Sequence, residues 1–326
     1  MLGACLGSFF NVCIYRMPLG VPLSYPGSHC YRCGQSVRWY DNLPLLSYWI
    51  LRGRCRSCGA GFSVRYFLVE LLTMTLLLTA TFQLGYSLAL VPAWIFISLL
   101  IIATFTDIDH WIIPDRITLG GLAAGLVLAA VPAIGNAPGN PLRLAPDSML
   151  LGLFDWVPAA YVPLAHAVAG AAGGWALLWG VGFLGTLIFR KEAMGFGDVK
   201  LFGMFGAFCG LTGLLPILLI ASAVGTVAGV IGMLRARAGG PPPAGPPIAP
   251  LQMTAGERHQ LLDARPLAPG ERRVVAAALE CPGVVGRVRH HLPFGPSLAI
   301  AAFIVFLWGE RLSDWVLNWM LRQSFP

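Results

Sequence analysis

The chain has 326 residues, 56% of them hydrophobic and only 11% charged, with 22 Lys+Arg against 15 Asp+Glu. Soluble domains carry about 25% charged residues, so this composition and a mean hydropathy of +0.71 exclude a soluble enzyme, a disordered chain and a secreted disulfide scaffold. They predict an all-α polytopic membrane protein whose length divides into spans of about 20 residues.

Apolar runs bounded by charge or by Pro/Gly clusters mark eight such spans. The first, Met1–Tyr15 in segment 1–16, covers about 22 Å of a roughly 30 Å hydrocarbon core. It has no basic leader and no small-residue cleavage site, so it does not read as a signal peptide. The expectation is a chain that starts inside its first helix. Residues 17–66 follow as a polar, Cys-containing module. A core of 67–234 then holds Phe67–Leu84, Leu88–Thr106, Ile117–Ala133, Val162–Phe189, Val199–Leu211 and Leu214–Leu234. Its loop 135–161, with Pro138, Pro141, Pro146 and Pro158, reads as irregular. Residues 235–293 contain the stiff run GGPPPAGPPIAP and continue Arg-rich, with one short helical stretch near Glu271–Leu279. That segment reads as an insertion without chemistry. The last span, Pro296–Trp308, lies in 294–326. No internal repeat is evident.

The net charge of +7 raises the question of nucleic acid, and topology answers it. With eight spans, 19 of the 22 Lys and Arg residues fall on one side, and only Arg143, Arg311 and Arg322 fall on the other. Long loops vote poorly, but without 235–293 the balance is still 11 to three. The positive-inside rule makes the basic side cytoplasmic and places the N-terminus and loop 135–161 outside. The expected partner is the bilayer, with no nucleic acid.

Four of the eight cysteines form Cys30-x2-Cys33 and Cys55-x2-Cys58, with 21 residues between the pairs. Two such knuckles match a structural zinc ribbon, whose four thiolates close a tetrahedral site and leave no open catalytic position. Two disulfides are the alternative, and a cytoplasmic loop disfavours them. His29 could compete as a ligand, although four thiolates suffice. Cys5, Cys13 and Cys209 lie in apolar spans and read, with Cys281, as small hydrophobes.

With only 15 acids, each one beside a span is informative, because an ionisable group there is costly. Two clusters stand out: Asp107-Ile108-Asp109-His110 with Pro114-Asp115 after span three, and Gly195-Phe196-Gly197-Asp198-Val199-Lys200 opening span six. The predicted topology puts both at the cytoplasmic surface. Two carboxylates a few ångströms apart share one proton; the ionised one can then activate water while the protonated one polarises a scissile carbonyl. Gly195 and Gly197 suit a close approach of backbone or substrate beside Asp198. The alternative is that Asp107 and Asp109 only solvate a helix end. Residues two apart on a helix point about 200° away from each other, so only one of Asp107 and Asp109 is expected to face inward.

The ordered motifs resemble those of the bacterial type IV prepilin peptidases (leader peptidase/N-methyltransferases), GxGD-type aspartic peptidases of the inner membrane. The resemblance runs through Gly7-Ser8-Phe9-Phe10-Asn11-Val12-Cys13-Ile14-Tyr15-Arg16-Met17-Pro18, the four-cysteine ribbon and the Trp39–Ser47 stretch inside it. It continues through Arg65-Tyr66, Val69-Glu70, Asp107-Ile108-Asp109-His110, Ile113-Pro114-Asp115, the Gly195–Lys200 stretch and Pro293-Phe294-Gly295-Pro296. It implies that Asp107, seven residues before Pro114, and Asp198 are the catalytic pair. It implies cleavage of short basic leaders from prepilins or pseudopilins at the cytoplasmic membrane face, and methylation of the new N-terminus by S-adenosylmethionine. No strand–GxGxxG–helix unit marks a methyl-donor site. The 91-residue Asp107–Asp198 separation and the 235–293 insertion depart from the family pattern, in loops.

The main rival is an ion- or proton-coupled transporter with a structural zinc module, since intramembrane acids also line ion paths. It predicts acids at mid-span, whereas these cluster at one face.

Overall fold

The computed structural model describes residues 1–24, 27–30, 32–142, 157–190, 194–237 and 294–324. Its helices are α1 (Leu2–Arg16), α2 (Leu46–Ile50), α3 (Val64–Leu84), α4 (Leu90–His110), α5 (Asp115–Ala130), α6 (Pro132–Gly135), α7 (Val162–Phe189), α8 (Phe196–Arg237) and α9 (Gly295–Ser324). Among the described residues there is no strand, only two isolated antiparallel bridges, His29 with Ser36 and Arg54 with Gly61. The interior of loop 135–161, the Pro/Arg-rich insertion and its Glu271–Leu279 stretch lie outside the described residues.

Among the described residues, four helices are long and apolar enough to cross a membrane: α3, α4, α7 with the turn before it, and α8 as far as Leu234. The eight predicted spans map onto seven long helices, because spans six and seven are two halves of α8. The halves meet at Gly210, whose φ of 67° and ψ of −177° lie outside helical geometry, a conformation open to glycine because it has no Cβ. The apolar run at the last span ends near Trp308, but α9 continues to Ser324. Charged residues such as Glu310 and Arg311 end hydrophobicity without ending a helix.

Local chemistry sets the helix ends. Ser63 accepts the Arg65 N–H at 3.3 Å and caps α3, which stops at Gly85 with φ 61°. α4 stops at Trp111, in the left-handed region at φ 56°, with its N–H donated to the Asp107 carbonyl. Pro114, in extended geometry at φ −61° and ψ 136°, then forms the N-cap of α5.

Glycines let the helices pack closely, as expected where lipid supplies no hydrophobic drive between helices. A Cβ at Gly7 of α1 would lie 2.6 Å from Glu70 Cα of α3. Gly170 of α7 and Gly206 of α8 touch backbone to backbone, and a Cβ at Gly174 would lie 2.6 Å from the Phe202 carbonyl oxygen. Phe96 of α4 locks the other side of α8: its ring stacks on Phe208 at 4.7 Å and lies 5.0 Å from Phe306 of α9. The core therefore joins α4, α8 and α9, the three helices whose ends form the site.

Candidate active site and metal centre

The helix ends that carry the sequence-predicted acids come together at one end of the bundle. Asp115 at the start of α5 accepts from Lys200 Nζ of α8 at 2.6 Å. Arg65 at the start of α3 pairs with Asp109 at the end of α4. Asp107 Oδ2 accepts the Gly295 N–H, the first of α9, at 3.2 Å.

Asp107 is buried, and Asp198, in the first turn of α8, lies near enough for the Asp107 charge to act on its carboxyl. Two acids 91 residues apart in the chain are thus brought to the same end of the bundle, with Gly295 against Asp107. Gly295 was legible in the sequence only as part of a Pro-Phe-Gly-Pro run opening the last span. A Cβ there would collide with the Asp107 carboxylate, so the site needs this glycine for space.

One expectation needs correction. Asp107 and Asp109 are both buried, each 8% exposed. They do point different ways, but α4 has neighbours on several sides: Asp107 meets α9, while Asp109 meets α3 through Arg65. The Arg65 guanidinium also lies 5.4 Å over the Phe105 ring. Asp109 is thereby committed to an ion pair. The glycines beside Asp198 have room around them. A Cβ at Gly195 would come only within 3.9 Å of Asp198 Oδ2, and one at Gly197 within 3.7 Å of Ile113. The chain's own atoms do not require glycine there.

The four cysteines converge: the Sγ atoms of Cys30, Cys33, Cys55 and Cys58 all lie within 4.8 Å of one another. Cys30 and Cys58 Sγ are 3.7 Å apart. A tetrahedron with metal–sulfur bonds of about 2.3 Å has an edge of about 3.8 Å, so the donor set fits a zinc-sized ion. The two knuckles also form a repeat that the sequence reading passed over. Cys-x-x-Cys-Gly recurs with a 25-residue offset, from Cys30 to Cys55. Gly34 and Gly59 sit at φ 69° and 70°, and each donates its N–H to the first Cys carbonyl of its knuckle, at 2.8 and 2.9 Å. The Cys58 and Ser57 backbone N–H groups hold the Cys55 thiol down to about 7, favouring its thiolate, while desolvation and the neighbouring thiols push Cys58 up to about 11. Beside the cluster, Arg56 grips Asp41 with contacts of 2.6 to 3.0 Å, which holds the Asp41 carboxyl below its usual range.

Comparison with known proteins identifies the family. Residues 1–84 match the bacterial peptidase A24 N-terminal domain, and residues 94–230 match the type IV leader peptidase family. A prepilin leader peptidase/N-methyltransferase of Myxococcus xanthus is 36% identical over 332 residues, covering 96% of this chain and 90% of its own. Proteins of the same name from Klebsiella pneumoniae and Aeromonas salmonicida are 38% and 31% identical, over 61% and 97% of this chain and 78% and 91% of theirs. No solved structure matches. With such identity running through nearly all of both chains, and two family models abutting around the α3–α4 connection, the chain belongs to the type IV leader peptidase family.

Proposed function

We propose that this protein is a membrane aspartic endopeptidase that removes the short leader from type IV prepilins or pseudopilins and N-methylates the exposed N-terminus. The observation that carries the reading is the approach of Asp107 and Asp198 at one end of the bundle. Of the two, one is ionised and takes a proton from the attacking water, and the other, protonated, donates to the scissile carbonyl oxygen. The Gly295 N–H fixes one oxygen of Asp107, so its carboxylate is oriented before substrate arrives. Asp109, paired with Arg65, is outside this exchange.

Zinc is the metal that four thiolates fit, held by Cys30, Cys33, Cys55 and Cys58; it supplies cross-linking of the module and no step of the reaction. S-adenosylmethionine is the methyl donor the relatives' names imply, and we assign no residue to it. The basic residues Arg16, Arg65, Arg116, Arg190 and Lys200 lie at or beside helix ends on the acids' side of the bundle. This supports a cytoplasmic active face with eight spans and an exterior N-terminus. A transporter is less well supported, since its acids would sit at mid-span and no relative cited bears that name.

The test is cleavage of a prepilin with a short basic leader by membranes containing the protein. Loss of cleavage in Asp107→Asn and Asp198→Asn, with normal accumulation, is expected. Cleavage near the wild-type rate in either variant overturns the assignment.

A further inference from the structure

The cysteine module carries a largely exposed apolar face, and its depth relative to α3 indicates what covers it. Leu46, Trp49 and Ile50 are 50%, 70% and 68% exposed, while Ser47 between them is 8% exposed. Positions i, i+3 and i+4 share one helical face, so α2 turns its large apolar side chains outward and its small polar one inward.

Two contacts fix the depth of α2. The Leu45 N–H, on a residue held at φ 63°, donates to Glu70 Oε2 at 2.8 Å. The Trp49 ring packs edge-on against Phe67 at 5.9 Å, and Tyr48 lies 5.4 Å from the same ring. Phe67 and Glu70 belong to the first two turns of α3, a membrane-length helix. At 1.5 Å per residue, Glu70 is about 4.5 Å further along the helix than Phe67. The apolar side of α2 therefore lies level with the beginning of the α3 apolar run, and exposed Leu68, Leu71 and Leu72 continue it along α3.

The charge beside it is one-sided. Arg52 and Arg54, directly after α2, are exposed, and neither forms an ion pair among the described residues. An apolar face with Trp at the edge of a membrane helix, followed by free guanidinium groups, matches the acyl–headgroup boundary with phosphates above it.

We infer that α2 is an interfacial anchor holding the cysteine module flat on a bilayer containing anionic phospholipid. Leu46, Trp49 and Ile50 enter the boundary region, and Arg52 and Arg54 sit at phosphate level. The partner is lipid, not substrate or a second copy, because the face is continuous with the lipid-facing side of α3. Anchoring keeps the module from swinging over the nearby helix ends. The inference depends on α3 spanning the membrane and is independent of which reaction the site performs.

The experiment places the photo-cross-linking residue p-benzoyl-phenylalanine singly at positions 49, 50 and 57 of the full chain. The protein is reconstituted in nanodiscs of phosphatidylethanolamine with phosphatidylglycerol, or of phosphatidylcholine alone. Ser57, at the tip of the second knuckle, is the comparison site, and protease resistance of the reconstituted protein reports folding for each variant. Phospholipid adducts several-fold more abundant at 49 and 50 than at 57 are expected. They should be richer in the phosphatidylglycerol discs and lose that enrichment in Arg52→Ser/Arg54→Ser. Equal adducts at all three positions, or adducts in native membranes to a prepilin or a second copy instead of lipid, would overturn the inference. Equal yields in the two lipid mixtures would remove its anionic component.

Discussion

Asp107 and Gly295 are 188 residues apart in the chain yet share one space. Asp107 Oδ2 accepts the Gly295 N–H at 3.2 Å, and the same carboxylate fills the volume that a Cβ on residue 295 would take. The start of α9 therefore acts as a template for one member of the acid pair.

This relationship gives the first prediction. Gly295→Ala should displace the Asp107 carboxylate while α9 still forms. A misplacement of about 1 Å can cost on the order of a hundredfold in rate. Leader cleavage is expected to fall by about that factor, with the protein still accumulating in the membrane. Normal cleavage by Gly295→Ala would mean that the Asp107 position does not matter.

The two acids of α4 should separate by phenotype. Asp107→Asn removes a group in proton exchange and should abolish cleavage in a stable protein. Asp109→Asn leaves Arg65 without its carboxylate in a largely buried site, where breaking such a pair costs up to about 3 kcal/mol. Its expected effect is lower thermal stability, with cleavage retained at permissive temperature. A stable but inactive Asp109→Asn would reverse the roles.

How far these residues could be read from sequence differs with their range. The apolar runs and the GxGD stretch were visible because each is local; the break inside α8 falls at Gly210, inside the predicted span Val199–Leu211 and not in the gap after it. The cysteine spacing was sufficient because a metal site constrains spacing directly. The Asp109–Arg65 pair was not visible, since helical geometry orients Asp109 only within α4 and cannot reveal that α3 brings a guanidinium to the opposite side. Gly295 was missed for the same reason: its constraint comes from a carboxylate on another helix. The knuckle repeat was overlooked because only Cys and Gly recur, and its backbone hydrogen bonds appear only in the fold.

The α7–α8 contact should be intolerant of bulk. Gly206 meets the Gly170 backbone directly, and backbone cannot yield as a side-chain tip can. Gly206→Leu should cost more than the roughly 1–3 kcal/mol usual for overpacking. It is expected to reduce accumulation in the membrane, while Gly229→Leu, with open space around its Cβ position, should not. Equal accumulation of the two variants would contradict the packing described.

Metal content is separable from catalysis. The purified protein should carry about one zinc per chain, and Cys30→Ser or Cys58→Ser should lower it, with increased protease sensitivity of residues 27–63. A metal-free preparation whose four cysteines titrate as two disulfides would rule out the metal site.

The last prediction concerns pH and inhibitors together. Two carboxylates that share one proton are active only between their two macroscopic titrations, so the rate profile should be bell-shaped. Either Asp→Asn substitution removes the pair, so no residual profile should remain to be measured. The cysteine cluster offers four protein ligands and no open position for substrate or water, and it belongs to the module and not to the acid pair. Brief exposure to a chelator, or to reagents aimed at serine or cysteine nucleophiles, should therefore leave the cleavage rate unchanged. Prolonged chelation should lower activity only in step with loss of module structure, read by proteolysis of the same samples. Prompt inactivation by a chelator while the module still resists protease would place the metal in the reaction and make Cys30, Cys33, Cys55 and Cys58 part of the active site.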